Sequence, residues 1–467
     1  MPRTIASIFG AFFLLTAIAG KPAMVQSAPL SDKAIADYSR DVFFGTADQR
    51  TIALRHLVAR GQADVAPALV MAMRYFGADA EISDAFKRLT GNDATDWFDG
   101  MLWQEANPEI AAHPSYRDLK IELFSRLDRE FLRFVGGERS LPENMEIRLE
   151  EITWGGVVVD GIPSLDDPEL IDSQDADYLL DDDLVFGVSI NGDVRAYPLR
   201  IMGWHEMFNE VIGGVPVALA YCTLCGAGIL FETQVEGQEA PFVFGSSGFL
   251  YRSNKLMFDR RTDSLWNQFT GEPVSGPLVG SGIKLKIRPV AITSWKNWKS
   301  KNPDTKVLSL NTGHNRNYDS GVVYNTYFTS PDLMFPAVVA RENEVKRKEY
   351  VFGIRDFGAA KAWPLDAFQD VRVINDRVGN LDVVLIGDAS TRTVRAYERN
   401  GLSFMQSEQP DFLTGPGGQW KIGENRIVGP DGTRLPRVAG HVAYWFAWDG
   451  YLGVKSELYS DASVKSQ

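Results

Sequence analysis

The chain holds two cysteines, three positions apart, at the end of an apolar run: residues 215–226 read VPVALAYCTLCG. Cys222 and Cys225 in this setting support three chemistries. Two thiolates can close around one soft metal ion, with Gly226 supplying the positive φ that so tight a turn needs. The sulfurs can instead join as a disulfide, structural or redox-active, or remain free thiols. A helix N-terminus would lower a thiol pKa, but Gly226, Gly228 and the strand-like Ile229-Leu230-Phe231 follow, so no helix is expected there. A c-type haem needs His directly after the second Cys, where this chain has Gly226.

A Cys-x-x-Cys knuckle supplies only two ligands. His205 is the expected third, with Glu206 beside it and His314 or His441 as distant fourths. Two thiolates and an imidazole suit Cu(I) or Zn(II), so one copper or zinc ion is the cofactor of the metal reading. The segment from Ile201 to Val211 is expected to form a short helix, placing His205 and Asn209 one turn apart on one face. Packing that helix on the following strand would bring His205 to the cysteines.

A second constellation lies at 259–268, DRRTDSLWNQ. Asp259, Arg260, Ser264, Trp266 and Gln268 could line a cleft for a small molecule, or form a charged hairpin whose Trp caps the core. A hydrolase built there lacks an assignable nucleophile–base pair. The sequence has no Gly-x-Ser-x-Gly elbow, phosphate-binding loop, dinucleotide fingerprint or His-Glu-x-x-His.

The elements that must position these residues fall into blocks. Residues 1–28 read as a secretory signal: Arg3, an apolar run from Ile5 to Gly20, then small residues to Ala28. Export to the periplasm or outside the cell is therefore expected, with an uncleaved membrane anchor as the alternative. Residues 29–140 read as a helical module. Asp64 can cap a helix with Pro67 in its first turn, a second helix runs from near Ser83 to Thr90, a third carries Trp97 and Phe98, and Leu119, Leu123, Leu127, Phe131 and Val135 repeat every four residues. Stacked short helices of this kind suit a HEAT-like fragment or a plain bundle, either of which could dock a protein partner. The formal charge of −13 argues against nucleic acid, which needs a basic footprint.

From about residue 145 the texture turns to short β-branched and aromatic runs broken by Gly, Pro, Asn and Asp. An acidic stretch, 166–183, lacks the glycine and spacing of an EF-hand. Residues 185–199, VFGVSINGDVRAYPL, and 351–365, VFGIRDFGAAKAWPL, share seven of 15 positions. The same offset of 166 carries Asn209 onto Asn375, Gly213 onto Gly379, Leu219 onto Leu385 and Glu232 onto Glu398, and Trp295/Trp298 reappear near it as Trp445/Trp448. A tandem duplication is expected: lobe 1 at 141–320 and lobe 2 at 321–467. His205, Cys222 and Cys225 fall on Val371, Asp388 and Thr391, so the cluster belongs to one lobe only.

Three stretches carry a family resemblance: GWHEMFNEVIGGVPVALAYCTLCGAGILFE from Gly203, FGSSGFLYRSNKLMFDRRTDSLWNQFTGEPVSGPL from Phe244, and SWKNWKSKNPDTKVLSLNTGHNRNY from Ser294. Together with Tyr444-Trp445-Phe446-Ala447-Trp448 they resemble the bacterial domain-of-unknown-function 3179 proteins across residues 150–460. That family usually has Pro after the first Cys, where Thr223 stands here. The resemblance implies a bacterial, often exported protein and brings no established activity. The chain is thus expected to be an α+β protein with a Cys/Cys/His metal- or thiol-redox site in lobe 1. The alternative is a non-catalytic binding or scaffold module stiffened by a Cys222–Cys225 disulfide.

Overall fold

The computed structural model describes residues 29–355, 358–369 and 372–460. The signal segment 1–28 and Val371 lie outside them. N-terminal helices are followed by a β-rich region of several sheets, so the α+β expectation holds.

Six helices of ten or more residues, from Asp32–Phe44 to Ser115–Leu127, are delimited by local chemistry. Thr46 and Gln49 make a reciprocal capping box, Asp79 and Asp96 cap the helices after them, and Gly61 and Gly91 end others in the left-handed conformation. Pro67 sits in a first turn as expected, and the helix read from Ser83 begins earlier, at Ala80. The four-residue apolar repeat of Leu119 to Val135 is interrupted at Asp128, where the chain passes through a single 3-10 turn into Leu132–Val135. These helices do not close a core alone. Phe124 and Phe131 stack on Phe249 at centroid distances of 4.7 and 4.5 Å, and Phe134 meets Phe258, so the module shares its core with the sheet carrying Phe244–Tyr251 and Asn254–Asp259.

The hairpin Leu184–Ile190/Asp193–Pro198 is flanked by antiparallel Ala291–Ser294 and parallel Lys306–Leu308. The hairpin Tyr350–Ile354/Ala360–Pro364 is flanked by antiparallel His441–Tyr444 and parallel Ser456–Leu458. Trp298 covers Gly187 so closely that a Cβ there would collide with the indole, and Trp448 covers Gly353 in the same way. Asn209 clamps the backbone of Phe244 with two hydrogen bonds of 2.9 Å, and Asn375 clamps that of Phe404 at 2.7 and 2.8 Å.

The segment from Ile201 to Val211 is not one helix. Leu199–His205 is helical, Glu206 turns left-handed at φ 54°, and Met207–Ile212 is a strand paired with Val215–Cys222. Gly213 and Gly214, both at positive φ, make the hairpin turn between them. Pairing with an apolar partner strand overrides the weak helical pattern, and His205 and Asn209 consequently sit on different elements.

Between the strands Lys306–Leu308 and Tyr350–Ile354, residues 309–349 form a strap with one short helix, Asn325–Thr329. Loops of this length inside a compact fold are usually functional. This one lies over the cysteines.

Candidate functional site

The strand Val215–Cys222 and the strand Ala227–Glu232 pair so that Cys222 faces Ala227 across the turn. Cys225 N–H donates to Cys222 O and Gly226 N–H to Thr223 O, both at 3.2 Å. Gly226 is required twice: its φ is 58°, and a Cβ would stand 2.7 Å from the Tyr350 ring. Both cysteines are buried, at 2% and 0% exposure, and neither is bonded. Their sulfurs are 2.8 Å apart, beyond the roughly 2.05 Å of an S–S bond. The disulfide alternative is therefore not realised. Burial, with the Cys222 contact added, pushes the Cys225 thiol well up, so it is protonated at neutral pH.

A charged pair lies beside the sulfurs. Glu206 Oε1 accepts from Thr223 Oγ1 at 2.6 Å and Oε2 accepts from Lys255 Nζ at 3.2 Å, with all three residues buried. The left-handed backbone at Glu206 turns this carboxylate back onto the knuckle. Lys255 arrives from the strand Asn254–Asp259, whose hairpin turn at Arg252 and Ser253 also brings Ser253 O within 3.4 Å of the Cys225 sulfur. Gln268 donates to Ala220 O and Ala227 O at the base of the knuckle. From the strap, Tyr327 donates to Leu224 O at 2.7 Å and Tyr324 reaches Glu206 at 3.5 Å. From the strand His441–Tyr444, Tyr444 N–H donates to Cys225 O at 2.8 Å.

His205 does not join this group. One ring nitrogen, Nδ1, is 2.9 Å from Pro163 O, which can only accept, so Nδ1 carries the proton. Nε2 accepts from Tyr318 OH at 2.6 Å, and Tyr318 OH lies 2.6 Å from Thr312 Oγ1. Burial lowers its pKa to about 4, keeping the ring neutral. His314 lies against His205, and His441 packs on Phe269 and Trp448. Among the described residues no group of three His, Cys, Asp or Glu side chains could hold a metal ion. The set His205, Glu206, Cys222 and Cys225 is therefore not assembled around copper or zinc, because the left-handed turn at Glu206 separates the histidine from its neighbour.

The expected cleft at 259–268 is a closed hairpin. Asp259, Ser264, Trp266 and Gln268 are all fully buried. Asp259 accepts from Thr262 Oγ1 at 2.7 Å and Trp266 Nε1 at 2.9 Å, while Ser264 Oγ meets Thr262 Oγ1 at 2.8 Å. Arg260 forks onto Asp160 outside. The polar density of this stretch serves internal hydrogen bonding, because a buried carboxylate must be satisfied. Thr223, Lys255, Tyr324 and Tyr327 were not read from sequence as site residues. They come from three separate places, the knuckle turn, the strand Asn254–Asp259 and the strap, and no spacing rule connects these.

No curated protein and no solved structure matches the chain. A family model described as a protein of unknown function, DUF3179, matches residues 159–454, a span that takes in the knuckle, the Glu206–Lys255 pair and the strap and leaves out the six N-terminal helices from Asp32–Phe44 to Ser115–Leu127. The chain belongs to the DUF3179 family.

Proposed function

We propose that the chain is an exported thiol protein in which Cys222 and Cys225 cycle between dithiol and disulfide. One observation carries the reading: two unbonded sulfurs stand 2.8 Å apart in a turn whose intervening Thr223 holds the Glu206–Lys255 pair. Forming the bond requires a closure of roughly 0.75 Å. The co-reactant is a low-molecular-weight disulfide. One cysteine attacks a sulfur of the disulfide and passes its proton to the thiol released. The second cysteine then attacks the mixed disulfide and releases the other thiol. Two cysteine thiols and one disulfide thus become one protein disulfide and two thiols.

Equilibrating the mature protein across ratios of glutathione to glutathione disulfide, followed by acid quenching and alkylation mass counting, tests this. Both cysteines are expected to titrate together as one two-electron couple. Two free thiols at every ratio would overturn it.

The burial of both sulfurs favours a second reading, a non-catalytic binding or scaffold module in which an oxidised pair stiffens one turn. On that reading the helical module docks a protein partner, using the face not committed to Phe249 and Phe258.

We also infer that the two β-rich lobes descend from one duplicated unit. The matching flanks of the two hairpins, the Trp–Gly and Asn clamps, and the pairs Tyr197–Glu210 and Trp363–Asp376 at the same 166-residue offset support it.

A further inference from the structure

A second site stands where the repeat offset carries the thiol site. Arg372 and Asp388 occupy the places of Glu206 and Cys222, and they line an open cleft of about 620 Å³ between the lobes. That volume is within the range of small-molecule sites. Asn297 and Lys301 of the helix Trp295–Lys301 line one side, and Arg372, Asp388, Arg395, Asp411, Lys421 and Glu424 are among the residues lining the others.

The acids of this cleft are already committed. The Glu424 carboxylate takes three bonds from Arg395, at 2.9, 3.1 and 2.6 Å, and one from Arg437 at 3.0 Å. Burial alone would raise the Glu424 pKa, but the two guanidinium groups outweigh it and hold the carboxyl at about 2. Asp388 accepts from Ser390 Oγ at 2.6 Å and Thr391 Oγ1 at 2.9 Å. Asp411 is 3.5 Å from Lys301. Arg372 and Lys421 have no ion-pair partner among the described residues, and both are exposed. In a chain of net charge −13, a cleft lined by four cations (Lys301, Arg372, Arg395 and Lys421) and three carboxylates (Asp388, Asp411 and Glu424) is a local reversal of sign. Such walls concentrate and orient anions, and a guanidinium matches the paired oxygens of a carboxylate or phosphate.

We propose that this interlobe cleft binds a small molecule bearing a carboxylate or phosphate group, held by Arg372 and Lys421 over Arg395. Isothermal titration of the mature protein at low ionic strength, with inorganic phosphate and with succinate as probes, tests it. At least one probe should bind, and Arg372→Ala/Lys421→Ala should weaken it ten-fold or more with an unchanged urea midpoint. Binding of phosphate alone or succinate alone supports the site and names the anion class. Absence of heat with both probes, or equal affinity in the double variant, overturns the proposal. Cys222→Ser/Cys225→Ser should bind as the wild type does, which keeps this site's failure separate from that of the thiol reading.

Discussion

The turns Cys222–Gly226 and Asp388–Arg392 have one backbone shape and two chemistries. Each ends a strand and closes on a left-handed residue, Gly226 at φ 58° and Arg392 at φ 54°. In the first, two sulfurs face each other at 2.8 Å; in the second, Thr391 donates to Asp388 at 2.9 Å. A carboxylate and a hydroxyl therefore close the same turn that two thiols close. Sulfur is not needed for the shape. What differs is the surroundings: the first turn sits over a buried Glu206–Lys255 pair beneath the strap, and the second opens on a cationic cleft. Tyr350 lies between them, its ring against Gly226 and its hydroxyl accepting from Arg392 at 2.9 Å.

The largest effect should come from the buried pair. Glu206→Ala strands Lys255 in the core, and urea unfolding should show a loss of about 3–5 kcal/mol. Its counterpart Arg372→Ala is exposed and should stay within about 0.5 kcal/mol. Equal losses would break the contrast between the two sites.

Next is the left-handed residue. Gly226→Ala must displace Tyr350 and adopt a positive φ, at a cost of about 1–3 kcal/mol. Arg392→Gly relieves its φ while losing a half-buried hydrogen bond to Tyr350, so its thermal midpoint should move much less.

Asp388→Ala should cost about 1–2 kcal/mol at neutral pH by removing the bonds from Ser390 and Thr391. Burial pushes the Asp388 carboxyl up, but those bonds outweigh it and hold it below its ordinary value. Its folded pKa is therefore depressed, so its contribution is present above the ordinary carboxylate range. It is lost as pH falls through the folded value. The wild type and the variant should converge in acid, as read by denaturation at stepped pH.

A modest change in stability should accompany the largest change in chemistry. Cys222→Ser/Cys225→Ser should remain within about 1.5 kcal/mol of wild type, since oxygen atoms can close the turn as those of Asp388 and Thr391 do. It should show no glutathione titration at all. Unfolding of this variant would mean that sulfur holds the turn after all.

Much of the fold was legible in local pattern. Apolar period and Pro67 marked the helices Ala66–Phe76 and Ser115–Leu127, although Asp64 lies in a 3-10 turn and does not cap the first, and the 166-residue offset led to hairpins with matching flanks. Two readings failed for one reason. His205 and Glu206 are adjacent in sequence, but a left-handed residue sends one side chain to Pro163 and Tyr318 and the other to Thr223. The hairpin at 259–268 is polar because a buried aspartate needs donors, a demand that looks the same in sequence as an open cleft.

The sequence by itself determined the helical block, the strand-rich block, the Cys-x-x-Cys-Gly turn and the repeat, because each depends on residues close together or on a fixed offset. Only the tertiary structure decided what faces the sulfurs. Lys255, Tyr327 and Tyr444 reach the knuckle from 30, 102 and 219 residues beyond Cys225, brought there by a sheet, a strap and the strand His441–Tyr444. Burial of apolar surface fixes those distant approaches, and it acts over the whole folded chain rather than along any stretch of it.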